Sequence, residues 1–223
     1  VVTIDGPAAS GKSTVARRVA EQLSATFLDT GAMYRAVTLA ALRGGVDVND
    51  EGQLVEAIAR HTFRLEAAAE KTAVFIDGAD VTEAIRAPEL TAQVRPVAAA
   101  APVREKLVAM QRAFAARHDR IVTEGRDQGT VVFPDADAKF FLTATTAERA
   151  RRRAAELAGQ GVEANAGEIR QAIEARDRSD RDRATGPLRP AADAITIDTT
   201  DLSIEEVVAR ICREVEQRCR KND

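Results

Sequence analysis

Val1-Val2-Thr3-Ile4-Asp5-Gly6-Pro7-Ala8-Ala9-Ser10-Gly11-Lys12-Ser13-Thr14 is the stretch whose reading decides the fold. Val1 to Ile4 read as an apolar strand, and Gly6 to Ser13 fit the spacing Gly-x-x-x-x-Gly-Lys-Ser, with a helical pattern beyond. A phosphate chain needs backbone close enough to donate several N–H groups at once. Gly6 and Gly11 permit that approach, and the following helix turns its positive end to the anion. Lys12 is expected at the β- and γ-phosphates and the Ser13 hydroxyl in a Mg²⁺ shell, with Pro7, Ala8, Ala9, Ser10 and Thr14 completing the triphosphate cradle.

Beyond the loop, Val15, Val19 and Leu23 recur every four residues opposite Arg17, Arg18, Glu21 and Gln22, which predicts the first helix. Four more short apolar runs, Thr26-Leu28, Arg120-Thr123, Lys139-Leu142 and Ala194-Ile197, are separated by helical patterns. Alternation of this kind implies a parallel sheet with helices on both faces. Pro102 suits a helix first turn, and Val103, Leu107, Met110 and Phe114 line its buried side to about Arg117. In the last helix Ser203-x-x-Glu206 is a capping box, with Ile204, Val207, Val208, Ile211 and Val215 as the core face.

The interval from Val46 to Ala101 breaks this rhythm. Leu54, Ala57 and Ile58 mark a short helix; the runs Thr62-Glu66 and Thr72-Ile76 follow, closed by the turn chemistry of Asp77-Gly78. Strands so closely joined pair antiparallel, so an inserted lobe is expected here. Gly159-Gln160-Gly161 and Gly167 mark a loosened stretch further on.

With 223 residues, 45% of them hydrophobic, the chain can bury one core and a smaller lobe. It contains no apolar run long enough to span a membrane, and the opening strand leaves no room for a leader, so the cytoplasm is the expected compartment. Cys212 and Cys219 read as ordinary residues of the last helix, and His61 and His118 as surface or helix-end residues. The net charge of −3 argues against a nucleic-acid coat. Of 32 cations only five are lysine (12, 71, 106, 139 and 221), leaving 27 arginines, so position must decide their meaning.

Three positions stand out. Asp29-Thr30-Gly31-Ala32-Met33-Tyr34-Arg35 begins at the end of the second strand, where an α/β sheet places its crevice. Alone, Asp-Thr-Gly also reads as a strand-to-helix turn with Asp or Thr as cap, although Tyr34, the only tyrosine, followed by Arg35 suits a phosphate clamp. Gly125-Arg126-Asp127 follows another strand, with a structural ion pair as the alternative reading. Arg176, Asp180 and Arg183 fall on one side of a helix by spacing, while Asp177, Arg178 and Asp182 read as its solvated face.

Together, Gly6 to Thr14, Asp29 to Arg35, Gly125-Arg126-Asp127-Gln128-Gly129-Thr130-Val131-Val132-Phe133-Pro134, and Arg176-Asp177-x-x-Asp180-x-x-Arg183 before Pro187-Leu188 resemble, in this order, the bacterial cytidylate kinases. The resemblance implies an α/β nucleoside monophosphate kinase fold of the P-loop class, with a five-stranded parallel sheet in the order 2-3-1-4-5. It also implies an enlarged monophosphate lobe carrying a small antiparallel sheet. The corresponding division is 1–32, 102–145 and 163–223 for the core, 33–101 for the lobe and 146–162 for a lid over ATP. It assigns Thr30, Tyr34, Arg35 and Arg126 to the CMP phosphate, Arg104 and Asp127 to cytosine, and Asp180 to the sugar hydroxyls. Arg176 and Arg183 go to the phosphates between donor and acceptor, and with Lys12 and Arg126 form the catalytic set.

The implied reaction moves the γ-phosphoryl group of ATP, with Mg²⁺, to CMP or dCMP in a monomeric enzyme with no nucleic-acid or membrane partner. Cytosine's amino group beside two acceptors complements a carboxylate with an arginine. A uracil would leave polar groups unpaired, a discrimination of ~10²-fold or more. In the lid, Arg149 and Arg153 share a helix face and are the pair expected on ATP. The chain departs from the family at Val94-Arg95-Pro96-Val97-Ala98-Ala99, where two serines are usual, and at Gln128, where an aliphatic residue is usual. The competing readings are a kinase of the same fold acting on UMP, dTMP or a non-nucleotide, and an RNA-binding module using its arginines on a polyanion; a GTPase would need a guanine-reading Asn-Lys-x-Asp segment, which is missing. The kinase reading requires guanidinium groups from position 35 to position 183 to converge near Lys12.

Overall fold

The computed structural model describes residues 1–66, 72–159, 161–162 and 165–222. Strand β1 (Val2–Asp5) is buried along its whole length, as an interior strand of a parallel sheet must be. The phosphate loop leads into helix α1 (Lys12–Gln22), which buries Val15, Ala16, Val19 and Ala20. Strand β2 (Thr26–Asp29) runs directly into α2 (Thr30–Arg43), where Asp29 is the N-cap and accepts the amide of Ala32 at 3.0 Å.

Helix α3 (Glu51–Arg60) buries Leu54, Ala57 and Ile58, the three residues that mark it in the sequence. Its N-cap is Asp50 and its last flanking residue is His61. Strands β3 (Phe63–Glu66), β4 (Ala73–Ile76) and β5 (Ala79–Asp80) form an antiparallel sheet in that order. The expected sheet had two strands; the third arises because Asp77 and Gly78, with φ of 51° and 81°, make a two-residue turn that folds β5 back onto β4. Asp77 also binds the preceding segment, accepting Thr62 N at 2.8 Å and meeting His61 Nδ1 at 2.6 Å.

A short 3₁₀ turn (Ala84–Arg86) precedes α4 (Pro88–Ala99), and α5 (Ala101–Ala115) follows at once with proline in its first turn. Val103, Leu107 and Phe114 are buried and Met110 is packed against them. After β6 (Ile121–Gly125) comes a π-type turn (Gln128–Val132), then β7 (Ala138–Thr143), α6 (Thr146–Gly159), α7 (Ala166–Asp182), β8 (Ile195–Asp198) and α8 (Ile204–Asn222). Gln160, part of the loosened stretch noted in the sequence, lies outside the described residues.

The main sheet has the order β2-β6-β1-β7-β8; in chain order its strands are 2-3-1-4-5, as the resemblance implies. β1 pairs in parallel with β6 and β7, and β7 with β8. The contacts divide the chain into two units, Val1–Ala25 with Val122–Asp223, and Thr26–Ile121. In the first, α1 packs on α8 and α6 on α7, and Ile4, Val15, Phe140, Leu142, Ile197, Val207, Val208 and Ile211 are buried. Ser203 and Glu206 cap α8 reciprocally: Ser203 N donates to Glu206 Oε2 at 2.8 Å and Glu206 N to Ser203 Oγ at 3.2 Å. Ile204, expected in the core face, is 37% exposed because it stands at the first helical position, ahead of the packed turns. In the second unit, one core gathers Leu28, Met33, Val37, Leu54, Val97 and Leu107, and another Ala36, Val74, Val81, Ile85 and Leu90. No helix among the described residues is long and apolar enough to cross a membrane.

Candidate active site

The phosphate loop is wound as its glycines allow. Gly11, with φ of 85°, is the N-cap of α1 and Ala9 also lies in the left-handed region at φ 57°. A side chain at Gly6 would collide with the Leu142 carbonyl. The first turn of α1 carries no acidic residue, so its positive end stays open to an anion. Lys12 is 6% exposed and curls back, donating to Pro7 O at 3.1 Å, with Glu124 Oε2 at 4.0 Å. Burial, with Arg126 and Arg176 nearby, pushes its ammonium down to about 7, against the opposing pull of Glu124 and Asp180. Ser13 Oγ donates to Glu124 Oε1 at 2.9 Å.

That carboxylate escaped the sequence reading, although its place could have signalled it: Glu124 lies near the carboxyl end of the strand beside β1, where P-loop enzymes carry an acidic partner for the metal. The Ser13 hydroxyl and the Glu124 carboxylate are hard oxygen donors beside the loop lysine, which suits Mg²⁺.

Arg126 leaves the end of β6 and bonds Asp180 on α7, Nε to Oδ2, at 2.7 Å, with both side chains 16% exposed. Burial alone would raise the Asp180 pKa, but Arg126, Arg176 and Arg183 outweigh it and hold the carboxylate below its usual range. Lys12, Arg126, Arg176, Asp180 and Arg183 therefore form one electrostatic cluster. Asp127 is 5% exposed. The helix carrying Arg176 and Asp180 stops at Asp182, so Arg183 is not on its face: it is the non-helical C-cap, with φ −57° and ψ 134°, and donates Nη2 to Gly186 O at 2.5 Å. The solvated-face reading also fails at Asp177. Arg178 and Asp182 are exposed, but Asp177 is 2% exposed and paired with Arg149 at 2.7 Å.

The arginines of α6 divide their work. Arg149 is 4% exposed and donates to Ala144 O and to Ala8 O of the phosphate loop, both at 3.1 Å. Arg152, passed over in the sequence, donates to Ser10 O at 3.4 Å and to Thr199 Oγ1 at 3.0 Å. Arg153 pairs with Glu156 at 2.7 Å. Periodicity places Arg149 and Arg153 on neighbouring turns, but the loop carbonyls are met by Arg149 and Arg152. Those contacts occupy the Ala8 and Ser10 carbonyls and not the loop amides, the groups a phosphate needs.

In the second unit, Asp29 takes the capping role, and Thr30 is buried behind it. Arg104, 2% exposed on α5, donates Nη1 to Tyr34 Oη at 3.2 Å and to Ala98 O at 3.4 Å. Arg35 Nη1 donates to Ile85 O and Thr91 Oγ1, both at 3.1 Å. At the family departure, Arg95 is exposed on α4, and residue 98 meets Arg104 through its carbonyl, which an alanine supplies as well as a serine. Gln128 is buried, accepting Thr123 Oγ1 on its Oε1 at 3.0 Å, so an amide here has a partner that an aliphatic chain would leave unmet.

A protein-family model described as cytidylate kinase matches residues 2–217. The chain is 49% identical over 210 residues to the cytidylate kinase of Desulfitobacterium hafniense (strain Y51), covering 94% of this chain and 90% of that one. To the cytidylate kinase of Lactobacillus gasseri it is 45% identical over 221 residues, covering 99% and 95%. Among solved structures it resembles a gluconokinase from Sinorhizobium meliloti 1021 at 13% identity and a TM-score of 0.50, over 97% of this chain and 91% of that one, a likeness of fold alone.

Proposed function

The chain belongs to the cytidylate kinase family, and on that premise we propose that it transfers the γ-phosphoryl group of ATP to CMP and dCMP, giving ADP and CDP or dCDP. The observation that carries the chemistry is the clustering of Lys12, Arg126, Arg176 and Arg183 around Asp180 at the phosphate loop. Such a transfer needs alignment and neutralisation of charge, and little acid-base help, because the acceptor phosphate is already anionic.

Gly6 to Thr14 are assigned to ATP. The CMP phosphate goes to Thr30, Tyr34, Arg35 and Arg126, cytosine to Arg104 and Asp127, the sugar to Asp180, and the transferring phosphate to Arg176 and Arg183. Ser13 and Glu124 would hold Mg²⁺, which supplies positive charge to the phosphate oxygens when bound. Arg149 and Arg153 remain assigned to the donor side, Arg149 through the loop it supports. The lobe is 33–101 and the lid 146–162, in a monomer of the cytoplasm. Water must be excluded on closure, or ATP would be hydrolysed without transfer.

An ADP-release assay with CMP, dCMP, UMP and dTMP tests this reading. CMP and dCMP are expected to stimulate release, with UMP and dTMP lower in kcat/KM by ~10²-fold or more, because either would leave buried polar groups unpaired. Equal use of UMP would remove cytosine from the assignment of Arg104 and Asp127.

A further inference from the structure

Asp5 ends β1, one residue before the phosphate loop, and is 4% exposed. Both carboxylate oxygens are used, and by the same short segment: Oδ1 accepts the amide of Gln128 at 2.9 Å and Oδ2 the amide of Gly129 at 2.8 Å. Those amides immediately follow Arg126-Asp127 and open the π-type turn, in which Val131 N at 2.9 Å and Val132 N at 3.2 Å donate to the Asp127 carbonyl and Phe133 N at 2.7 Å to the Gln128 carbonyl. The segment is pinned on its other sides as well. Gln128 folds back over Gly125, where an added Cβ would lie 2.8 Å from Gln128 Cγ, and at Gly129 an added Cβ would lie 2.9 Å from Thr3 Oγ1.

We propose that Asp5 is a positioning residue that sets the bearing of Arg126 and Asp127 relative to the phosphate loop, so that a carboxylate touching neither nucleotide governs use of the acceptor. The inference rests on the assignment of Arg126 and Asp127 made under the proposed function. Its physical basis is the mismatch between what Asp5 costs and what a neutral side chain could provide. Burial, helped by the charges of Asp127 and Glu124, raises its pKa to about 7 even though both amide bonds lower it. A fold selecting only for stability gains little by keeping such a group. An asparagine of the same shape offers one acceptor and turns an NH₂ toward the second amide, as a protonated carboxyl turns its O–H, so only the ionised carboxylate, the form that prevails above about pH 7, holds both N–H groups at once.

The test uses the full chain carrying Asp5→Asn, with Asp5→Ser as a second variant, assayed by ADP release against CMP and ATP separately. An amide left unmet in a buried site costs enough to predict a rise of about 10-fold or more in KM for CMP with a lowered kcat, while KM for ATP moves less than about 3-fold. Hydrogen exchange at Gln128 and Gly129 should accelerate with the β1 amides still protected. Unchanged CMP kinetics would overturn the proposal, and so would a parallel loss toward ATP and CMP with a lowered melting temperature, which is the signature of a merely structural residue. If the wild-type chain shows no CMP-stimulated release, the functional reading fails instead, and the exchange of the two amides still decides whether Asp5 holds the segment.

Discussion

At the level of single residues, Arg183 and Asp5 give the sharpest expectations. Arg183 sits beyond the end of α7 with its guanidinium in the field of Asp180. Its replacement by alanine should lower turnover by ~10²-fold or more, on the scale of other arginines that meet a transferring phosphate. Steady-state kinetics beside a melting curve would check this, and near-normal turnover would reject the role. For Asp5 the expectation is one of stability. Its folded pKa of about 7 lies above the ordinary carboxylate value of 3.8, so between those values the folded state keeps a proton that the unfolded state has released. Raising the pH through that window therefore removes stability, most of it by the time pH passes 7. The groups facing Asp5 are the amides of Gln128 and Gly129 and the charges of Asp127 and Glu124. Denaturant titrations of wild type and Asp5→Asn at pH 5 and pH 8 should show the wild type relatively stronger at pH 5; a gap that ignores pH would contradict the shift.

Elements meet through pairs no single helix contains. Arg149 on α6 and Asp177 on α7 are 4% and 3% exposed in their side chains and lie 2.7 Å apart. Arg149 also reaches Ala8 O, so one guanidinium ties two helices to the phosphate loop. Replacing Asp177 with alanine leaves that cation buried without its carboxylate, which should cost about 3–5 kcal/mol in urea denaturation. A loss below about 1 kcal/mol, the worth of an exposed pair, would show that water reaches the site. Helix α8 illustrates the opposite case. Its capping box is local, spans Ser203 to Glu206, and forms as the residue types require.

For the molecule as a whole, arginine abundance has to be weighed against placement. The net charge is −3, and many of the cations pair with nearby carboxylates. A polyanion binder of this size would show steep salt dependence. The expected result is no RNA binding at physiological salt and ADP release unaffected by added RNA; salt-sensitive RNA binding without acceptor stimulation would favour the rival reading. The sequence by itself determined the phosphate loop, the alternation of strands and helices, the lobe helix and the cap of α8. Each depends on residues within a few positions of one another, where periodicity, glycine freedom and capping act directly on the backbone. Only the tertiary structure decided that Asp177 is buried, that Arg152 rather than Arg153 meets the loop, that Glu124 receives the Ser13 hydroxyl, and that Asp5 grips the segment after Arg126. Spacing along a helix or strand tells which side chains share a face, but what that face meets comes from other elements: the neighbouring helix for Asp177, and for Glu124, Arg152 and Asp5 segments more than a hundred residues away in sequence, brought there by the order of strands in the sheet.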